Sequence, residues 1–212
     1  MGKDVPGIVL ERLLPWFRAH VAEVDDLKAQ LIGHGRSNLT YRVADGGRSW
    51  VLRRPPLSHV QPTAHDMKRE FRVLSALKGT KVPVPKPLAL CEDPEVIGAP
   101  FYIMEYVEGF IPVDPQEVAR RYDEAQRRRM AEELVDILAE LHALRPDEVG
   151  LADFGRPEGY LARQVKRFTE QWRRIRFRDV PELDELCRRL NSFTMSESDH
   201  SIVHGDYRLD NA

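Results

Sequence analysis

The chain has 212 residues, a formal net charge of −2, 42% hydrophobic and 31% charged residues. That is the balance of a globular protein long enough for one large domain or two small lobes, and it excludes a general attraction to nucleic acid or to an anionic membrane. No apolar run approaches the roughly 20 residues of a membrane span, and Cys91 and Cys187 lie far apart with no histidine at metal spacing, which fits a reducing compartment and excludes a disulfide scaffold or zinc site. The opening MGKDVPGIVLERLLPWF lacks the apolar core of a secretory signal, so the protein reads as cytoplasmic, with neither nucleic acid nor membrane as a partner.

In chain order, Ile8, Leu10, Leu13, Leu14 and Phe17 mark one face of a helix over residues 7–20. Three strands follow, at 29–33, 39–44 and 50–53, with Asp45-Gly46-Gly47 as a hairpin turn between the last two. Met67, Phe71, Leu74 and Leu77 then predict a helix over 64–77, with Gly79 placed to end it. Prolines at 83, 85 and 87 make 82–87 extended and unpaired. Strands are predicted at 88–91 and 100–107. After residue 113 the texture changes, with long helices at 122–144 and 160–177 and a shorter one at 183–190. We therefore place a β-rich N-lobe at 1–108 and a helical C-lobe at 109–212.

The run SIVHGDYRLDN at 201–211 carries the densest chemistry. An aspartate on a loop after an apolar strand can accept a proton or orient a hydroxyl, and Asn211, five residues after Asp206, offers a hard oxygen suited to Mg²⁺. H-G-D-x-x-x-x-N has the spacing of a kinase catalytic loop, with Gly in place of the usual Arg. Phosphoryl transfer also needs a loop over the phosphates, a fixed cation and an acid to hold it, and each has a candidate in the required order. In IGHGRSNLTYRV, Gly33 and Gly35 would let backbone approach an anion, with Ser37 and Asn38 as donors; the same stretch also reads as a plain turn between strands. In WVLRRPP the cation is Arg53, or else a solvated edge arginine, as we expect of Arg54. Glu70 would face the sheet or pair locally on its helix. PFYIMEYVEG would connect the lobes, with Ile103 and Met104 behind an adenine ring and the backbone of Glu105 to Val107 on its edge. The helix at 160–177 adds a basic strip that includes Arg173 and Arg174, read either as a solvated face or as attraction for a phosphate-bearing acceptor.

From about Ala29 to the last residue the chain resembles the aminoglycoside phosphotransferase-like small-molecule kinases, relatives of protein kinases. GRSNLTYRV, WVLRRPP, FYIMEYVEG and HGDYRLDN most resemble the branch whose kinase-like domain is fused, in some animals, to acyl-CoA dehydrogenases. The resemblance implies an α+β, protein-kinase-like fold: an antiparallel β-sheet N-lobe with one main helix, plus a helical C-lobe. It implies ATP and Mg²⁺ as cofactors and a small hydroxylated molecule as acceptor, hydroxyacyl-CoA compounds among them. Asp206 would be the base or hydroxyl orienter, Asn211 a metal ligand, and Arg53, paired with Glu70, would replace the usual phosphate-contacting lysine. The family continues past this loop with an aspartate that is its principal Mg²⁺ ligand, whereas this sequence stops at Ala212. The expectation is an incomplete C-lobe, weak metal binding, impaired turnover and exposed apolar surface that favours a homodimer. The alternative is a non-catalytic, pseudokinase-type module that binds nucleotide or a partner.

Overall fold

The computed structural model describes residues 5–32, 38–57, 66–193 and 200–211. Helix α1 (Leu10–His20) precedes strands β1 (Lys28–Leu31), β2 (Leu39–Asp45) and β3 (Arg48–Arg54). Then come α2 (Met67–Leu77), β4 (Pro87–Cys91) and β5 (Phe101–Glu105), followed by helices α3 (Pro115–Arg121), α4 (Glu124–Ala143), α5 (Tyr160–Ile175) and α6 (Pro181–Ser192). Every described strand thus precedes residue 106, and the fold is the expected α+β arrangement.

The five strands form one antiparallel sheet in the order β1-β2-β3-β5-β4. Alternation sorts its residues onto two faces. The register aligns Tyr41, Leu52 and Ile103 across β2, β3 and β5. These three pack with Leu13 and Phe17 of α1 in the main core, where the Phe17 ring meets Trp50 edge-on at 5.0 Å. The opposite face aligns Thr40, Arg53 and Tyr102, and next to them Arg42, Val51 and Met104. Helix α2 covers part of that face. The Asp66 carboxylate caps it by accepting from Arg69 N at 2.9 Å, and Phe71 lies against Tyr102. Gly79 follows the helix with φ +87°, the left-handed conformation its position predicted.

Four expectations change. Arg54 is buried, not a solvated edge residue. It points to the α1 face, and its guanidinium donates to the carbonyls of Gly7 (2.5 Å), Ile97 (3.0 Å) and Pro55 (3.1 Å), so three carbonyls replace its lost water. Gly7, at φ +80°, allows this approach, because a Cβ there would sit 2.8 Å from Arg54 Nη1. Ile103 belongs to the α1 core, and only Met104 shares a face with Arg53. Pro87 is paired: it opens β4 at the edge of the sheet, where its missing N–H costs no ladder bond. Finally, α3 is an unpredicted helix, although its start is legible: Asp114 accepts from Gln116 N at 2.9 Å and Pro115 fills the first turn. Residues 64 and 65 of the predicted second helix lie outside the described residues.

The chain divides into two compact units, Met1–Leu141 with His204–Ala212, and His142–Val203. The first holds the sheet, α1 to most of α4, and the HGD loop. The second is built on α5 and α6. There Asp184 accepts from Trp172 Nε1 at 3.2 Å and pairs with Arg176 at 3.3 Å, and Asn191 Nδ2 donates to the buried Thr169 hydroxyl at 3.2 Å. No helix among the described residues is long and apolar enough to cross a membrane.

Candidate active site

The open face of the sheet carries a four-residue polar cluster. Arg53 Nε stands 3.0 Å from Glu70 Oε2. This nitrogen is buried, and its N–H is not aligned with any acceptor among the described residues, so the contact is an ion pair without a directed hydrogen bond. Tyr102, directly across the ladder from Arg53, donates its hydroxyl to the same Oε2 at 3.0 Å. Asn38 Nδ2 donates to Oε1 at 2.5 Å. The carboxylate is therefore held at both oxygens from three directions. Burial first, and then the charge of Glu70, push the Tyr102 hydroxyl well above the ordinary tyrosine range, with Arg53 opposing, so it remains a donor at any physiological pH. The terminal nitrogens of Arg53 donate no hydrogen bond among the described residues.

Of the residues expected around the phosphates, Gly33, Gly35 and Ser37 lie outside the described residues. Asn38 is described and buried, and its amide is taken up by Glu70. At the strand end, Glu105 N donates to Lys86 O at 2.9 Å, which closes that N–H into the sheet. The N–H of Val107, two residues on, has no hydrogen bond among the described residues, and the Val107 side chain is exposed. Tyr106 between them lies under the Arg42 guanidinium, 5.0 Å from ring centroid to Cζ.

The second cluster is the HGD loop. Gly205, at φ +86°, supplies the bend that puts His204 and Asp206 on one turn, where Asp206 N faces His204 Nδ1 at 3.4 Å. Asn211 Nδ2 donates to Asp206 Oδ2 (2.8 Å) and to its carbonyl (3.1 Å), so the five-residue spacing brings the expected pair into direct contact. That orientation leaves Asn211 Oδ1 without a partner among the described residues. The loop is anchored by Tyr207, whose hydroxyl donates to Leu134 O in α4 at 2.7 Å and whose ring takes His204 edge-on. Asp206 itself is open to solvent, 73% exposed at the side chain, with Arg208 the one cation near it among the described residues, at 3.9 Å. No group of three His, Cys, Asp or Glu side chains among the described residues could hold a metal.

Residues 28–212 match the family model of the phosphotransferase enzyme family, APH. The chain belongs to that family. Among its relatives, mouse acyl-CoA dehydrogenase family member 10 is 36% identical over 178 residues, 84% of this chain and 16% of that protein. Chicken acyl-CoA dehydrogenase family member 11 is 35% identical over 201 residues, 94% of this chain and 25% of that protein. This phosphotransferase-family chain thus spans a quarter or less of the length of these curated relatives. The solved structure of a Ralstonia eutropha protein named as a candidate aminoglycoside phosphotransferase superposes with a TM-score of 0.80 at 37% identity, covering 94% of this chain and 58% of that one. The macrolide 2′-phosphotransferase MphH of Brachybacterium faecium shares the fold, with a TM-score of 0.59 at 19% identity over 94% of this chain and 66% of its own.

The structure brings the expected Arg53 and Glu70 together, and likewise Asp206 and Asn211, while Tyr102 joins the first cluster without having been expected there and the Asn38 amide, expected to face an anion, donates to Glu70. Neither of the last two placements shows in local pattern. Tyr102 is one aromatic in a strand full of them, and only the β3–β5 register puts it opposite Arg53.

Proposed function

We propose that the chain is the phosphotransfer domain of an ATP-dependent kinase acting on a hydroxyl of a small molecule. The observation that carries this is the Arg53–Glu70 pair: a cation fixed on the sheet face, its terminal fork without a hydrogen bond among the described residues, in a chain of phosphotransferase descent. Such a fork matches phosphate oxygens two at a time. The stretch at 33–37, and Val107 N–H at the base edge, complete the nucleotide contacts in this reading. Asp206 takes the proton of the acceptor hydroxyl as that oxygen bonds to the γ-phosphorus and the bond to the ADP oxygen breaks. Asn211, held by Asp206 through its amide nitrogen, would offer Oδ1, which has no partner among the described residues, as one ligand for Mg²⁺. The ion, when bound, would neutralise phosphate charge.

The finer reading takes the acceptor to be a hydroxylated acyl-CoA. Two observations support it: the acyl-CoA dehydrogenase names of the relatives, and a groove of about 750 Å³ between α5 and α6 whose lining includes four cations, Lys166, Arg173, Arg176 and Arg188, against two acids, Glu170 and Asp184. A second reading, a nucleotide-binding module with little turnover, draws on the absence of a three-carboxylate metal cluster among the described residues.

ATP with Mg²⁺ should raise the melting temperature of the protein. Asp206→Asn should keep that shift while abolishing transfer to any acceptor found in a screen of hydroxylated acyl-CoA esters, sugars and aminoglycosides. No shift with wild-type protein rejects the nucleotide site. A shift with no transfer in the screen favours the binding module. Charge reversal at Arg173 should weaken CoA-ester binding alone; equal loss of ATP binding, or no loss, rejects the acyl-CoA reading.

A further inference from the structure

The usual lysine of a phosphate site offers one ammonium, which must serve its glutamate and the phosphates together. An arginine has two separable parts, the Nε–H on its inner edge and the paired terminal nitrogens beyond it. In this structure the parts are divided: Nε stands 3.0 Å from Glu70 Oε2, and the terminal nitrogens donate no hydrogen bond to a described residue. The division depends on where the carboxylate stands. Glu70 is a flexible side chain on α2, and a carboxylate free to rotate would reach the terminal nitrogens and form the more favourable bidentate pair. Two groups prevent it. Asn38 fixes Oε1, and Tyr102, buried and opposite Arg53 on the ladder, fixes Oε2 against Nε.

We infer that Tyr102 is a positioning residue for phosphate recognition: its hydroxyl holds the Glu70 carboxylate at Arg53 Nε, so that the guanidinium fork stays available to two phosphate oxygens of a nucleotide. The inference rests on the phosphotransfer reading and adds to it a residue with no direct role in the chemistry. Removing the hydroxyl lets Glu70 turn onto the terminal nitrogens and compete with phosphate. The effect is selective, since adenosine, which has no phosphates, does not use the fork.

The test is calorimetric titration of the wild-type chain and of Tyr102→Phe with ATP–Mg²⁺ and, separately, with adenosine. Tyr102→Phe should weaken ATP about tenfold and leave adenosine unchanged. Adding it to Glu70→Gln should cost no more ATP affinity than Glu70→Gln alone, because with the carboxylate gone Tyr102 has nothing left to hold. Equal weakening of both ligands, no weakening of ATP, or an additive loss in the double variant overturns the proposal while the phosphotransfer reading stands. Should Tyr102→Phe fail to fold, Glu70→Gln alone decides: ATP affinity equal to wild type refutes the role of the pair that Tyr102 is said to hold. Wild-type protein that binds neither ligand refutes the nucleotide reading itself.

Discussion

The sheet and the α5–α6 pair are both built from amphipathic segments, yet they end in opposite states. In the sheet region, apolar residues at alternate strand positions and on one stripe of α1 are almost fully withdrawn from water: Leu13, Phe17, Leu52, Phe101 and Ile103 all have a relative exposure of 0%. In α5 and α6 the stripe is as clear in the sequence, but Phe168, Ile175, Leu186 and Leu190 remain exposed, and Phe177 just beyond α5 is 92% exposed. A strand pattern buries itself once register is fixed, because neighbouring strands and one covering helix supply both walls of a core. A helix pair shares only one seam, and the rest of each stripe stays in water. The joints that hold α5 to α6 are accordingly polar ones, around Asp184 and Thr169.

Substitutions can break this contrast. The largest effect belongs to Phe17→Ala, which removes a fully buried ring against Trp50 and should cost about 3–5 kcal/mol in denaturant unfolding; a loss below about 1 kcal/mol would mean the α1 face is not the main core. Arg54→Met keeps the bulk but strips donors from the carbonyls of Gly7, Ile97 and Pro55, for an expected loss of about 2–4 kcal/mol. No loss there would show that water satisfies those carbonyls after all.

The helix pair should respond instead to acid. Hydrogen bonds from Arg188 and then Arg189 pull the Glu185 carboxyl down to about 2. Because the folded value lies below the ordinary one of 4.5, this contribution is present above about pH 4.5 and disappears as pH falls through 2. Amide exchange along α6 should therefore quicken over that window in the wild type more than in Glu185→Gln, and equal acid responses in the two would remove the tether from the account. Smallest of all is Phe177→Ala. With its ring in water it should change stability by no more than about 0.5 kcal/mol, and a loss near that of Phe17→Ala would show that the α5–α6 stripe is covered in solution.

Most of the fold is legible from local pattern. The hairpin turn at Asp45-Gly46, the stripe of α2 with Gly79 after it, and the switch from strands to helices past residue 108 each follow from a short-range rule of turn chemistry or periodicity. The HGD loop is legible for the same reason: His204, Asp206 and Asn211 act on one another within a few residues, so their spacing already contains their geometry. Arg54 was misread because nothing local tells an arginine at the end of a strand whether distant carbonyls will meet it. Pro87 was misread because an edge position, which makes a proline harmless, is a property of the whole sheet.

The sequence alone determined the residue types of the candidate site, their order and the family the chain belongs to, since each of these is written in motifs a few residues long. Tertiary structure alone decided what each polar group faces. Arg53 and Arg54 are neighbours of identical chemistry, and the strand sends one to Glu70 beneath α2 and the other into a cage of carbonyls beside α1. The physical reason is that a charge is assigned by whichever partners surround it once water is gone, and those partners are brought in from 15 to 49 positions away: Tyr102, at one arginine's glutamate, by the β3–β5 register, and Asn38 there, with Gly7 and Ile97 at the other arginine, by the connections that flank the strands and α1.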